Sequence, residues 1–302
     1  ARPPDFGKQL TLTKKSSSME IKNAAVIGGG TMGNGIAQVF AMNDIPITIV
    51  ETEQDLAEKA VNTIEKNLDR MVEKEKIDRE QKVESMENVQ TSLDMEDAVS
   101  DVSLVIEAVP EDFPLKKDVF RQVDEAAPED TILASNTSSI SITKLAAVTD
   151  RPDRFIGMHF FNPVPLMKLV EIIRGYETSD EVYEALEEVA RILDKTPIEA
   201  QDSPGFVSNR VLMPMINEAI FTVHEGVATA EDVDSVMKLG MNHPMGPLQL
   251  ADFIGLDVCL DILEVLYDGF KDPKYRPCPL LVKMVDAGKL GKKTGEGFYE
   301  YS

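Results

Sequence analysis

The chain reads as an α/β protein: a mostly parallel sheet wound on both sides by helices, followed by a second domain that is all helical. Three observations predict this. From Met19 to about Asp202, short β-rich apolar runs alternate with amphipathic stretches of helical period. The turn Asp202-Ser203-Pro204-Gly205 then breaks the alternation. Beyond it the β-branched runs stop, and helical periods dominate from Val211 to Ala287, with Gly and Pro breakers at His243 to Pro247. At 302 residues the chain is long enough for two cores.

Taken in order, residues 1–18 read as a tail with Arg2, Lys8, Lys14 and Lys15 against Asp5. An appended remnant and the stub of a targeting peptide both fit it. Strands are expected at Ala24 to Ile27, Ile47 to Val50, Val102 to Glu107, Ile132 to Ser135, Phe155 to His159 and Leu169 to Ile173. Helices are expected near Gly33 to Met42, Asp55 to Lys76, Leu115 to Ala127 and Asp180 to Asp194. A domain boundary near Pro204 divides the rest into residues 19–204, the wound domain, and residues 205–302, the helical one. The helical domain, rich in Val, Leu and Met, suits substrate contact and self-association into a homodimer.

Composition excludes several classes. Apolar residues make up 43% of the chain, and no run approaches the roughly 18 apolar residues of a membrane span. The net charge of −22 argues against a nucleic-acid partner, because phosphate backbones require a basic surface. Adaptation to high salt and simple solvation both account for the acidity. Cys259 and Cys278 lack the spacing of a metal site or a disulfide framework, so no metal is expected and a cytoplasmic location fits.

The first strand runs into Gly28-Gly29-Gly30-Thr31-Met32-Gly33, and a helix pattern follows at once. In that context G-x-G-x-x-G has a mechanism. Gly28 allows the tight turn, Gly30 admits a pyrophosphate against the backbone, and Gly33 lets helix and strand pack closely, with the helix N-terminus aimed at the anion. The second strand ends in Glu51, 21 residues beyond Gly30, where a carboxylate can bond both ribose hydroxyls and repel a 2′-phosphate. The pair of signals predicts a Rossmann-like domain that binds NAD rather than NADP.

Of three histidines, His159 ends the apolar run Phe155-Ile156-Gly157-Met158. A satisfied core histidine is the common reading of such a residue. Glu171 adds to it: within Leu169-Val170-Glu171-Ile172-Ile173 it reads as a carboxylate in a buried strand, costly unless paired or hydrogen-bonded. Pairing with His159 would set the imidazole tautomer and leave the other nitrogen free as a general base. The cluster Ser135-Asn136-Thr137-Ser138-Ser139 follows a strand at the end where wound sheets bind ligands, and on local grounds a plain turn and N-cap fits equally. Asn209 could likewise cap the helix that follows it.

These residues carry a resemblance. Ser135 to Ser139, then Gly157-Met158-His159-Phe160-Phe161-Asn162-Pro163, then Pro204-Gly205-Phe206 through Asn209-Arg210 resemble the L-3-hydroxyacyl-CoA dehydrogenase family. So do Pro244-Met245-Gly246-Pro247 and Lys293-Thr294-Gly295-Glu296-Gly297-Phe298-Tyr299. The similarity runs from Met19 onward, in order, with no departure at the motif positions, and its length is that of the short-chain, 3-hydroxybutyryl-CoA type. The resemblance implies reversible oxidation of the 3-hydroxyl of an acyl-CoA by NAD, in a homodimer. It further implies that His159 is the general base and Glu171 its orienting carboxylate. Ser138 would bond the substrate oxygen and approach the cofactor, and Asn209 would hold the substrate. By the same match Glu111, Lys116, Asn162 and Lys293 belong to the cofactor site, with Lys292 standing beside the last.

An acyl-CoA brings phosphates to an acidic protein. Lys66, Arg70 and Lys74 recur every four residues on the expected helix after Glu51, which sets them on one face. The family binds CoA near this helix; a solvated face paired with Glu65, Glu73 and Glu75 is the other reading. Three rival functions remain open. One is a related dehydrogenase of a free hydroxy acid, of the gulonate dehydrogenase and lambda-crystallin type. Another is a protein that binds NAD without turnover. The third is a serine hydrolase using Ser138 and His159, against which stands the lack of a G-x-S-x-G elbow.

Overall fold

The computed structural model describes residues 19–301; the expected tail at residues 1–18 lies outside them. The wound domain alternates β1 (Ala24–Ile27), α1 (Thr31–Ala41), β2 (Ile47–Val50), α2 (Gln54–Glu73), α3 (Arg79–Glu87), β3 (Val89–Ser92), α4 (Met95–Val99) and β4 (Leu104–Glu107). It continues with α5 (Phe113–Ala126), β5 (Ile132–Ser135), α6 (Ile142–Ala146), β6 (Phe155–Phe160), β7 (Leu169–Arg174), α7 (Asp180–Ile192) and β8 (Thr196–Gln201). The eight strands lie in the order β3-β2-β1-β4-β5-β6-β7-β8. All neighbours are parallel except β6 and β7.

β1, β4, β5 and β6 are apolar runs buried on both faces, as strands covered by helices must be. One layer packs Ile36, Phe40, Ile64 and Leu68 against one face of the sheet. The other packs Val99, Phe120, Val123 and Leu145 against the opposite face. Helix starts carry their own signals: Asp78 forms a capping box with Gln81, and Asp112, Ser141 and Ser179 each accept an N–H of the first turn.

The helical domain comprises α8 (Ser208–His224), α9 (Ala230–Gly240), α10 (Pro247–Ile254), α11 (Leu256–Phe270) and α12 (Pro279–Asp286) around a third core of Met213, Ile216, Leu248, Leu263 and Leu281. Buried Asp234 accepts the N–H groups of Leu248 and Gln249 at the start of α10, and Tyr299 donates to it at 2.8 Å. Asp252 accepts from Phe298 N and Tyr299 N, so the last residues are clasped onto this domain.

Some expectations are corrected. β3 and β8 are sheet edges, half in water, with residues such as Gln90, Pro197 and Glu199 in place of an apolar run. Their sequences, Val89 to Ser92 and Thr196 to Gln201, hold no apolar run that marks a strand. The strand expected from Val102 begins at Leu104, because Ser103 turns aside to donate its N–H to Asn23 Oδ1 at 3.0 Å. α2 ends at Glu73, so Lys74 is its C-cap rather than an interior residue.

Candidate active site

β1 delivers the chain into Gly28-Gly29-Gly30 at the point where the strand order reverses, between β1 and β4. Gly28 holds φ at +96°, a region that side chains with a Cβ avoid. A Cβ on Gly33 would lie 1.7 Å from Gly28 O, so only glycine lets α1 approach the turn. A Cβ on Gly30 would meet no atom within 4 Å and would project into open space instead. α1 begins at Thr31 with no side chain capping it, so its first N–H groups are free for an anion.

Beyond these donors lies a cleft of about 380 Å³ bounded by Gly30, Thr31, Glu51, Asn67, Asn162 and Pro163. Glu51 accepts from Gly29 N at 2.5 Å, which brings its carboxylate to the mouth of the glycine turn. The open donors, the bare backbone at Gly30 and the carboxylate at the end of β2 fit a dinucleotide. The far wall of the cleft is pinned by Lys195, a buried lysine whose ammonium donates to Val164 O at 2.5 Å and Met167 O at 2.8 Å. Burial holds the pKa of that ammonium down.

His159 and Glu171 are directly opposite one another in the antiparallel pair β6 and β7, where facing side chains come closest. Nδ1 of His159 lies 2.8 Å from Glu171 Oε2. His159 is 6% exposed and its ring rests against the Phe161 ring at 4.6 Å and the Phe206 ring at 5.9 Å; Glu171 is 1% exposed. Glu171 also accepts from Val207 N (3.1 Å), Ser208 N (2.9 Å) and Ser208 Oγ (2.9 Å). Burial pushes its carboxyl up, but the bonds from His159 and Ser208 outweigh it and hold the group below the usual glutamate range. An ionised Glu171 can only accept, so Nδ1 carries the proton and Nε2 presents its lone pair. Among the described residues no protein group takes up Nε2.

The loop after β5 is organised by Glu111. Its Oε1 accepts from Thr137 Oγ1 (2.6 Å), Ser138 N (3.0 Å), Ser139 N (2.9 Å) and Ser139 Oγ (2.8 Å), with Ser138 Oγ at 3.4 Å. Burial opposes ionisation of Glu111, yet Lys116 and these hydroxyl and amide donors hold its pKa down. Asn209 Nδ2 donates to Ser138 O at 3.2 Å. The first residues of α8 therefore grip both halves of the site, Ser208 on Glu171 and Asn209 on the Ser138 loop.

Not every expected residue joins this cluster. Lys116 is 1% exposed, its ammonium enclosed by Glu107 Oε1 (2.6 Å), Val109 O (3.1 Å) and Glu111 Oε2 (3.3 Å). Lys293 is held in the helical domain, 2.6 Å from the Asp257 carboxylate, and Lys292 covers the Phe253 ring. Lys66, Arg70 and Lys74 are exposed on or at the end of α2. The carboxylates of Glu65 and Asp69 on that helix are taken instead by Lys82 of α3, and among the described residues none of the three cations has an acidic partner within 4.0 Å. Glu107, Lys195 and Ser208 were not anticipated. For Glu107 a signal existed, since a carboxylate ending the buried run Leu104-Val105-Ile106 needs a partner as Glu171 does.

Comparison with known proteins agrees with this geometry. Residues 23–203 match the family model for the NAD-binding domain of 3-hydroxyacyl-CoA dehydrogenases, and residues 205–301 match the model for their C-terminal domain. A 3-hydroxybutyryl-CoA dehydrogenase of Clostridioides difficile is 51% identical over 278 residues, 92% of this chain and 99% of that protein. The mitochondrial hydroxyacyl-coenzyme A dehydrogenase of Homo sapiens is 42% identical over 298 residues, covering 96% of this chain and 95% of its own. The crystal structure of an (S)-3-hydroxybutyryl-CoA dehydrogenase from Ralstonia eutropha superposes with a TM-score of 0.92 at 51% identity, over 94% of this chain and 100% of the other.

Proposed function

The chain belongs to the 3-hydroxyacyl-CoA dehydrogenase family of NAD-dependent oxidoreductases, and from that premise we propose that it interconverts a short-chain (S)-3-hydroxyacyl-CoA, 3-hydroxybutyryl-CoA in the first place, and the 3-oxoacyl-CoA. The observation that carries the mechanism is the His159 and Glu171 pair, a base whose tautomer is set by a buried carboxylate, in a domain whose first helix leaves its N-terminus uncapped. NAD, held at the glycine turn and Glu51, would supply the acceptor for the hydride that leaves C3 of the substrate. Nε2 of His159 takes the hydroxyl proton as that hydride leaves, and Glu171 stabilises the imidazolium that forms. The hydroxyl of Ser138 donates to the substrate oxygen, and Asn209 holds the acyl thioester. In the reverse direction the imidazolium returns its proton to the oxygen. A carboxylate kept ionised beside the imidazole favours both directions, because it steadies the charged form without taking its proton.

Gly28, Gly30, Thr31, Met32 and Gly33 are assigned to the pyrophosphate, Glu51 to the ribose and Asn162 to the wall of the cleft. Glu111 and Lys116 are assigned to the nicotinamide side, where Lys116 acts from inside the protein. Lys293 joins this set through the resemblance, its ammonium being paired with Asp257 in the structure. Lys66, Arg70 and Lys74 are assigned to the CoA phosphates, a role favoured by their having no carboxylate partner among the described residues. The division at Pro204 separates a cofactor domain from one that covers the substrate. That domain is also assigned to a homodimer interface, in keeping with Val211, Val236, Leu239 and Met241 standing exposed on α8, on α9 and just past its end. A cytoplasmic location accords with two unbridged cysteines and with the lack, among the described residues, of any helix long and apolar enough to cross a membrane.

The test is the loss of NADH absorbance when acetoacetyl-CoA is added, with parallel reactions containing NADPH or free acetoacetate. Oxidation that requires both NADH and the CoA ester is the expected result. Reaction with free acetoacetate but not with the ester would replace this reading by a hydroxy-acid dehydrogenase.

A further inference from the structure

Glu107 closes β4 with its side chain entirely inside the protein, at 0% exposure. It stands in register with Ser135, the last residue of β5, so both lie at the carboxyl ends of strands where a wound sheet binds its ligands. Its Oε2 accepts from Ser135 Oγ at 2.6 Å, and its Oε1 accepts from Val109 N at 2.7 Å and Lys116 Nζ at 2.6 Å. The same ammonium lies 3.3 Å from Glu111 Oε2, while Glu111 Oε1 collects the donors of residues 137 to 139. Ser135 Oγ in turn accepts from Thr137 N at 3.2 Å. Two of the three contacts of Glu107 therefore lead to the Ser138 loop, one through Ser135 and one through Lys116 and Glu111, while the third holds Val109 N.

A buried ion pair is a poor device for stability alone, because apolar side chains of the same volume generally do as well or better. Burial pushes the Glu107 carboxyl up against the pull of Lys116, while the three donors that converge on it, Ser135 Oγ, Val109 N and Lys116 Nζ, suit an ionised carboxylate. Its geometric consequence is to hold a cation inside the wall where it fixes Glu111.

We propose that Glu107 is a positioning residue for the reaction, holding Lys116, and through it Glu111 and Ser135, so that the Ser138 loop is set for the nicotinamide and the reacting oxygen. This rests on the dehydrogenase reading above. The pyrophosphate and adenosine ribose are assigned to Gly28 to Gly33 and Glu51, whose hydrogen bonds do not include Glu107; that turn meets the network only where Ala108 and Val109 pack against Gly28.

The experiment compares wild type with Glu107→Gln, which keeps the volume and removes the charge, and with Glu107→Asp, which keeps the charge one methylene short and serves if the first variant fails to fold. Isothermal titration calorimetry measures affinity for NADH and for ADP-ribose, which lacks the nicotinamide, and kcat and KM are taken with acetoacetyl-CoA. The expected result is a kcat lowered tenfold or more and an NADH Kd raised fivefold or more, with the ADP-ribose Kd within twofold of wild type. Unchanged kcat and NADH affinity would overturn the proposal, and so would parallel losses of NADH and ADP-ribose affinity, the mark of a general structural role. A wild-type protein that binds NADH without turning over acetoacetyl-CoA would instead overturn the function proposed above, and the two affinities would still decide the role of Glu107.

Discussion

Replacing Glu171 by glutamine leaves the volume of the site unchanged and asks what the charge does. The carboxylate accepts four hydrogen bonds, two backbone N–H groups at Oε1 and the His159 and Ser208 side chains at Oε2. An amide can satisfy these in two orientations only. With its NH2 towards Val207 N and Ser208 N, two donors face a donor, and each buried unsatisfied group costs about 1–3 kcal/mol. With its oxygen there, the NH2 points at His159 Nδ1, which must give up its proton. The second orientation is preferred by roughly 2–6 kcal/mol on that count, and it moves the imidazole proton to Nε2, the nitrogen required as base. Losing the charge-assisted bond to an imidazolium costs about 1.5–3 kcal/mol, roughly a 10- to 150-fold rate loss by itself. The wrong tautomer adds to it, as in a serine-hydrolase triad, where the corresponding change lowers kcat by about 10⁴. We expect kcat for acetoacetyl-CoA reduction to fall by about 10²- to 10⁴-fold, with NADH affinity within twofold by fluorescence titration. A variant that keeps kcat within threefold of wild type would refute the assignment of the tautomer and of the base.

Four further outcomes can be checked directly. His159→Gln should lower kcat by about 10²-fold or more while NADH binding is kept; near-normal turnover would remove His159 from the mechanism. Gly33→Ala places a Cβ 1.7 Å from Gly28 O, and because backbone lies on both sides, NADH binding should be lost in whatever folded protein is recovered. Reversing Lys66, Arg70 and Lys74 to glutamate together should raise KM for acetoacetyl-CoA about fivefold or more, at up to about 1 kcal/mol per exposed charge, and leave KM for the phosphate-free acetoacetyl-pantetheine unchanged. Equal effects on both substrates would return these cations to a solvated face. On acidification, Glu171 and Glu111, whose folded pKa values lie below the ordinary 4.5, contribute stability that is complete above that pH and is lost as pH falls through the folded values. Urea midpoints should therefore drop as the pH falls below about 4.5, and Glu171→Gln should flatten the drop; an unaltered slope in the variant would show that Glu171 is not held ionised.

Three kinds of information were legible without coordinates. The alternation of buried strands with amphipathic helices announced the wound sheet, because a strand covered on both faces must be apolar throughout, as Leu104-Val105-Ile106 is. Gly28 and Gly33 were readable because each meets a steric demand that no side chain can meet, and such demands are local, while Gly30 was readable from its place between them in the pattern. His159 and Glu171 were readable because a polar group inside an apolar strand requires a partner.

What only the tertiary structure decided is which groups meet. β6 and β7 run antiparallel in a sheet otherwise parallel, and that reversal sets His159 opposite Glu171; spacing along the chain carries no register. Lys116 has an ordinary place on an amphipathic helix, and only the approach of α5 to β4 turns it inward onto Glu107 rather than out towards a ligand. The edge strands β3 and β8 are held by hydrogen bonds to a neighbour, with half their side chains in water, so their composition resembles a loop. The sequence by itself determined where charge and backbone freedom must be accommodated. The fold decided by what, because a buried charge specifies that it needs a counterpart and leaves open which distant residue supplies it.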